Sequence, residues 1–295
     1  MPFETPLVFE CQGEHLLGIL HAPDQPTELG VLIVTGGPTY RVGPQRMNLV
    51  LARALTDVGV AVMRFDFRGT GDSDGERNTP RQGEAVHLDI KAALDVFHEE
   101  QPHLKGVVVW GLCRGAIRTL QYAQHDSRIQ GIVLLNPRVD SEQLAAVATL
   151  RQYYWQRITN PNFYRKVLVG DFSPGQSIKR LFMTVVTAIG LARKPNRKSR
   201  STVVKVPEIA ADIPVEKLIE DGFREFHGKV LMILGGGDLE AEKFKQIIKR
   251  STQLDRRVGD ADFLIRNIPG ANHTFSTREW RDRVIALTKE WVASF

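Results

Sequence analysis

A cysteine at a tight turn is the residue of this sequence best suited to covalent chemistry. Four apolar residues at 107–110 predict a buried strand, and the apolar spacing from Ile117 onward predicts a helix. Between them, GLCRG at residues 111–115 matches the nucleophile elbow G-x-S-x-G, with Cys113 in place of serine. A side chain at either glycine would strike the backbone. The free N–H groups of the helix start would favour a thiolate, whereas the alternative is an inert cysteine in a glycine-rich turn.

Two further residues could complete a catalytic set. A thiol nucleophile needs a base that takes up its proton, and the base needs an acid that orients it. Asp238 follows a predicted strand at residues 230–234, and His273 follows one at residues 263–268. Because parallel strands end at the same edge of a sheet, we expect both side chains to approach Cys113. The alternatives are that Asp238 only caps the next helix and that His273 is a surface residue.

An acyl-transfer site also needs two backbone N–H groups that stabilise the oxyanion. The N–H of Arg114, directly after the cysteine, is one candidate. The second is Gly37, in the loop after the predicted strand at residues 31–34, because Pro38 has no N–H to donate. If Asp238 is not the acid, Asp140 is the second candidate, since it follows the neighbouring predicted strand.

Predicted strands alternate with predicted helices through most of the chain. A β-hairpin is predicted around residues 12–14. Further strands are predicted at residues 31–34, 60–65, 107–110, 129–135, 230–234 and 263–268. Near-continuous apolar strands joined by helices are typical of a parallel sheet covered on both faces. The sequence therefore predicts an α/β fold with a mostly parallel central sheet.

The alternation stops in the middle of the chain. We predict a core of residues 1–138 and 227–295, with a helical cap insertion at residues 139–226. Within the insertion, residues 193–205 form a basic loop without acidic residues; its cations are Arg193, Lys194, Arg197, Lys198, Arg200 and Lys205. This loop is either a solvated surface, a site for the anionic part of coenzyme A or an acyl carrier protein, or a membrane-surface contact.

The composition excludes several classes of protein. The chain has 295 residues, 42% hydrophobic and 25% charged, with a net charge of +5, as is typical of a globular protein. Cys11 and Cys113 lie in different motifs, so no disulfide framework is predicted. The sequence contains neither a signal-peptide pattern nor an apolar run long enough to span a membrane, so we expect a cytoplasmic protein. We expect no cofactor, metal ion or nucleic-acid partner, since metal-ligand spacing and G-x-G-x-x-G are both missing.

These motifs resemble those of the α/β-hydrolase superfamily. Type 1 hydrolases associated with exosortase A systems in bacterial exopolysaccharide loci are a closer match. The segments similar to those of the type 1 hydrolases are GGPTYRVG at 36–43, WGLC at 110–113, LNP at 135–137, GDL at 237–239 and HTFS at 273–276. The elbow, the loop DFRGTGDS at 66–73, and Asp238 with His273 resemble the superfamily as a whole. The chain departs from that family after the elbow cysteine, where it has Arg114-Gly115 instead of Asp-Ala. Many relatives also carry histidine where this chain has Thr35.

The resemblance implies an α/β-hydrolase fold and a chain order of nucleophile, acid and histidine. Cysteine elbows also occur in dienelactone hydrolases and polyhydroxyalkanoate synthases, where they imply a covalent acyl intermediate. We therefore predict an acyl hydrolase or acyltransferase for a small-molecule ester or thioester. Its catalytic residues are Cys113, His273 and Asp238, and its oxyanion donors are Gly37 and Arg114. The alternative is a non-catalytic protein of the same fold that binds a ligand or partner.

Overall fold

The computed structural model describes residues 3–36, 40–76, 84–139 and 215–295. Within these ranges, the strands form one eight-stranded sheet in the order β1-β2-β4-β3-β5-β6-β7-β8. Its strands are β1 (Phe3–Cys11), β2 (Glu14–Ala22), β3 (Leu29–Val34), β4 (Ala61–Phe65), β5 (Gly106–Leu112), β6 (Ile129–Leu135), β7 (Lys229–Gly235) and β8 (Phe263–Ile268). The described helices are α1 (Met47–Thr56), α2 (Glu84–Glu100), α3 (Arg114–Ala123), α4 (Val215–Glu225), α5 (Leu239–Arg250), α6 (Thr252–Val258) and α7 (Arg278–Val292), with a short 3₁₀ helix at Pro44–Arg46 before α1.

The sheet is mostly parallel, as the apolar strand pattern predicts. β1 and β2 form the expected antiparallel hairpin, and β2 also pairs antiparallel with β4. The remaining neighbours, from β4 through β3, β5, β6 and β7 to β8, pair in parallel. All of these parallel strands therefore end at one edge, and the loops that follow them lie next to one another.

Helices cover both faces of the sheet. Alternate residues of β5 point to opposite faces, so Val109 joins one apolar cluster and Val108 joins the other. The first cluster includes residues of α2 to α6, and the second includes residues of α1 and α7. This double burial explains why β3, β5, β6 and β7 read as near-continuous apolar runs rather than as alternating patterns.

Helix α4 lies within the predicted insertion but packs against the sheet-covering helices. Its Ile219 and Phe223 are buried in the first apolar cluster. Gly222 approaches α3 so closely that a Cβ there would lie 2.7 Å from Cγ of Leu120. Residues 140–214, including the basic loop, lie outside the described residues, so the extent of the insertion stays a prediction. No helix in the described ranges is long and apolar enough to span a membrane.

Candidate active site

The elbow between β5 and α3 has the strained geometry that its sequence predicts. Cys113 is the N-cap of α3 and has φ 62° and ψ −119°, a conformation that non-glycine residues rarely adopt. A Cβ on Gly111 would lie 2.5 Å from the carbonyl group of Gly115. A Cβ on Gly115 would overlap the carbonyl oxygen of Val34 in β3. The two glycines therefore allow the backbones of strand and helix to approach, as the elbow motif requires.

The structure brings Cys113, His273 and Asp238 together. Nδ1 of His273 lies 2.9 Å from Oδ2 of Asp238. The side chain of His273 is also hydrogen-bonded to the Cys113 thiol. Asp238 is buried, whereas Cys113 remains partly exposed. The three side chains form one hydrogen-bonded chain across the ends of β5, β7 and β8, and their catalytic roles stay predictions.

Asp238 makes the contacts that both alternatives from the sequence require. It is the N-cap of α5, and its carboxylate accepts hydrogen bonds from the N–H groups of Glu240 and Ala241, both at 3.3 Å. The same Oδ2 that accepts from Ala241 also bonds to Nδ1 of His273. Capping and orientation of the histidine are therefore compatible, because one carboxylate offers enough lone pairs for all three partners.

The hydrogen bonds shift both ionisable groups towards an ion pair. The bond to Asp238, followed by the bond to Cys113, raises the pKa of His273 from 6.5 to about 10. Burial by itself raises the pKa of the Cys113 thiol. The hydrogen bond and charge of His273, the N–H of Arg114 and the charge of Arg138 outweigh burial, so that this pKa lies below its usual value. Both shifts favour the charged forms, a thiolate beside an imidazolium, relative to the same groups without these contacts.

One of the two predicted oxyanion donors can be located. The backbone N–H of Arg114 is hydrogen-bonded to Cys113 and lies at the start of α3. Gly37 lies outside the described residues, as does the alternative acid Asp140. The residue before Gly37 is described: a Cβ on Gly36 would lie 2.6 Å from the amide nitrogen of Gly115. The loop after β3 thus runs against the elbow, next to the Arg114 donor.

The loop after β3 is held on both sides of its undescribed part. Before it, Nη1 of Arg118 donates to the carbonyl oxygen of Thr35 at 3.1 Å. After it, the backbone N–H of Arg41 donates to Oδ1 of Asp66 at 2.6 Å, and the Arg41 guanidinium also pairs with that carboxylate. Asp66 is fully buried. These contacts give the similarity at residues 36–43 and 66–73 a structural reason, since the two loops hold each other.

Comparisons with known proteins agree with this architecture. The model of the family described as serine aminopeptidase, S33 matches residues 45–275. The chain belongs to this hydrolase family. Its fold is that of the α/β hydrolases, as the motifs predict. The family description names serine, whereas the elbow of this S33-family protein carries Cys113.

Three individual proteins are similar to this chain, each over a different length. A polyketide transferase, grgF, from Penicillium sp. is 32% identical over 97 residues, which cover only 31% of this chain and 31% of that relative. The structure of GrgF has a TM-score of 0.61 at 17% identity, with 98% of both chains covered. An esterase from Pyrococcus furiosus has a TM-score of 0.64 at 15% identity, covering 100% of this chain and 92% of the esterase. A dienelactone hydrolase from Anabaena variabilis has a TM-score of 0.61 at 16% identity, with 100% and 98% covered.

The structure of the S33-family protein also shows polar contacts that the motifs did not predict. Nζ of Lys243 lies 2.6 Å from Oε1 of Glu240 and 2.5 Å from the carbonyl oxygen of Val139. Oε2 of Glu240 accepts from the N–H of Val139 at 2.7 Å. This ion pair, in which Lys243 is buried, ties the start of α5 to the chain that leaves β6. A lysine on an otherwise apolar helix face was the available signal, because lysine is rarely buried without a partner.

Asn136 is the other residue that the motifs did not assign. It follows β6 directly, is fully buried, and bonds to the loops of both Asp238 and His273. Like Asp238, Asn136 follows a buried strand, so its position in the sequence was a signal that it could contribute to the site. Cys11 is buried and takes part in no disulfide, and its Sγ lies 3.4 Å from Oδ1 of Asp89. Among the described residues, no cluster of three or more potential ligands could hold a metal ion.

Proposed function

We propose that this protein is a cysteine-dependent acyl hydrolase or acyltransferase that acts on esters or thioesters. The observation that carries the proposal is the hydrogen-bonded chain from Asp238 through His273 to Cys113 at a strained elbow. Membership of a hydrolase family supports the general class of reaction. The cysteine in place of serine is the specific element of this proposal.

The proposed reaction begins with the Cys113 thiolate, which attacks the carbonyl carbon of the acyl substrate. The negative charge on the carbonyl oxygen is stabilised by the N–H of Arg114 and, in this proposal, by that of Gly37. The His273 imidazolium protonates the leaving group, so that the carbon–oxygen or carbon–sulfur bond breaks and an acyl-cysteine remains. Neutral His273 then removes a proton from water or an acceptor alcohol, which attacks the acyl group and releases the cysteine.

The proposal includes both water and an alcohol as the acceptor of the acyl group. The esterase among the similar structures supports water as the acceptor, and the polyketide transferase among the relatives supports an alcohol or another nucleophile. A non-catalytic binding protein is a weaker alternative. Such a protein has no need for a thiol whose pKa is lowered beside a histidine whose pKa is raised to about 10.

The finer predictions from the motifs belong to the same proposal. We propose a role in an exosortase A system on the basis of the similar segments alone. A cytoplasmic location would keep the Cys113 thiol reduced. Coenzyme A or an acyl carrier protein would deliver the acyl group as a thioester, and the basic loop at residues 193–205 would bind its anionic part; the loop could alternatively contact a membrane surface.

The central test is to trap the acyl-enzyme. The protein is incubated with p-nitrophenyl acetate and with an acyl-coenzyme A thioester, quenched with acid and analysed by peptide mass spectrometry. We expect the mass of one acyl group on Cys113, and none in the Cys113→Ala variant. The matched control is Cys11→Ala, which removes the other thiol and should leave the adduct unchanged. Full turnover by Cys113→Ala would overturn the proposal.

The carrier prediction has a separate test. Arg197, Lys198 and Arg200 are changed together to glutamate. We expect a higher KM for an acyl-coenzyme A substrate and little change in kcat/KM for a small neutral ester. Raising the salt concentration should have the same effect, because exposed charges are screened beyond about 10 Å at 0.1 M. An equal response of both substrates would exclude a carrier site, and a loss of liposome binding alone would favour the membrane surface.

A further inference from the structure

The side chain of Asn136 joins two loops of the site. Its Oδ1 accepts a hydrogen bond at 2.8 Å from the N–H of Gly235, the last residue of β7 before the loop that leads to Asp238. Its Nδ2 donates to the carbonyl oxygen of His273 at 2.9 Å. The residue is fully buried, so these bonds are protected from competition with water. A single amide group thus ties the loop of the acid to the backbone of the histidine.

The backbone beside Asn136 contacts the third residue of the site. The N–H of Cys113 donates to the carbonyl oxygen of Leu135 at 2.9 Å, and the N–H of Arg138 donates to the carbonyl oxygen of Cys113 at 3.3 Å. The N–H of Asn136 itself donates to Ile233 in β7 at 3.2 Å. This short segment after β6 is therefore bonded to the elbow on one side and to the other two loops on the opposite side.

The local geometry favours asparagine over other residues. Asn136 has φ 38°, in the left-handed region that asparagine tolerates better than most non-glycine residues. An amide also supplies the acceptor for Gly235 and the donor for His273. Aspartate would place a second oxygen against the His273 carbonyl, and leucine would leave both buried backbone groups unpaired.

We propose that Asn136 is a positioning residue that holds the His273 ring in line between Asp238 and Cys113. This inference rests on the proposed cysteine chemistry. The histidine must bond to the acid and the thiol at the same time, so its ring has little freedom to move. Asn136 fixes the backbone carbonyl of His273 relative to the strand that leads to Asp238. A displacement of roughly 1 Å in such an arrangement lowers the rate by about 10²-fold.

The test removes the amide and keeps the backbone conformation. Asn136→Gly is suitable because glycine adopts φ 38° without strain. We expect kcat to fall about 10- to 100-fold, with KM within about threefold of wild type. We also expect the pH at which iodoacetamide alkylates Cys113 at half its maximal rate to rise towards that of an ordinary thiol. The matched control is Val133→Ala, a truncation in β6 that should lower stability and leave the alkylation profile unchanged.

The outcomes separate this inference from the proposed function. If Cys113→Ala retains activity, the proposed function fails, but the alkylation profile of Asn136→Gly still tests the positioning role. A wild-type alkylation profile in Asn136→Gly would overturn that role. If Asn136→Gly does not fold, the side-chain amide resonance of Asn136 in the ¹⁵N-labelled wild-type protein is followed during alkylation of Cys113. We expect this resonance to shift, and an unchanged resonance would overturn the inference.

Discussion

Replacing Asp238 by asparagine tests the electrostatic account of the site most directly. Oδ1 of Asp238 accepts from Glu240, and Oδ2 accepts from Ala241 and from Nδ1 of His273. Asparagine has only one oxygen for these positions. If that oxygen caps the helix through Glu240, its NH₂ group faces Nδ1 of His273. The ring then carries its proton on Nε2 and cannot accept one from Cys113.

Asp238 caps α5 and bonds to His273, and its replacement should therefore have a small effect at the cap and a large effect on the catalytic rate. Asparagine is about as good an N-cap as aspartate, so the change at the cap itself should cost about 1 kcal/mol or less. Catalysis should fall by about 10³- to 10⁴-fold through the wrong tautomer of His273, which corresponds to roughly 4–5.5 kcal/mol of transition-state stabilisation. The hydrogen bond to Asp238 is the largest cause of the raised pKa of His273. Its loss should therefore lower the pKa of His273 and raise that of Cys113.

The assay combines three measurements on the same variant. These are kcat and KM for an ester substrate, the pH dependence of Cys113 alkylation, and unfolding by urea. The control is Ser251→Ala, which removes the N-cap acceptor of the neighbouring α6, where Oγ accepts from Leu254 at 3.4 Å. It should lower stability without changing kcat. Activity of Asp238→Asn within about threefold of wild type would refute the reasoning and assign the acid role to another residue, with Asp140 as the next candidate.

Three further predictions concern the elbow. Cys113→Ser should lower kcat by orders of magnitude with little change in stability, because serine cannot ionise beside His273 near neutral pH. Comparable kcat values for the serine and cysteine enzymes would contradict the role of the thiolate. Alkylation of wild-type Cys113 should decline as the pH falls through the lowered pKa of its thiol. The profile of His273→Ala should lie at higher pH, because the thiol loses the partner that lowers its pKa; coincident profiles would exclude the ion pair. Gly115→Ala should lower the free energy of unfolding by about 1–3 kcal/mol in urea titration, because the added Cβ overlaps the carbonyl oxygen of Val34. The control Gly259→Ala should lower the free energy of unfolding less, since its Cβ would lie 3.2 Å from the nearest atom.

The arrangement of strands and helices follows from local patterns in the sequence. Buried parallel strands need apolar residues on both faces, so they appear as unbroken apolar runs, and the helices between them repeat apolar residues every three or four positions. The short helix α6 was not predicted. It has seven residues and only one buried side chain, Leu254, so its sequence carries too little periodicity to be recognised.

The residues of the candidate site were predictable to different degrees. Cys113 was identifiable because the elbow motif has glycine on both sides, at positions where a Cβ would strike the neighbouring backbone. Asp238 and His273 were identifiable because each follows a predicted strand, and parallel strands end at a common edge. The dual role of Asp238 was not predictable, since Asp at an N-cap is common and its contact with His273 depends on the relative placement of two loops.

Only the tertiary structure decided the contacts that link these loops. Asn136 and His273 are 137 positions apart in the chain, yet their hydrogen bond is 2.9 Å long. It forms because β6 lies directly beside β7, which lies beside β8, an order that the chain sequence of the strands does not specify by itself. The burial of Lys243 against Glu240 and Val139 has the same origin. Local patterns determine which residues stand at the ends of strands, whereas the packing of the sheet determines which of those residues meet.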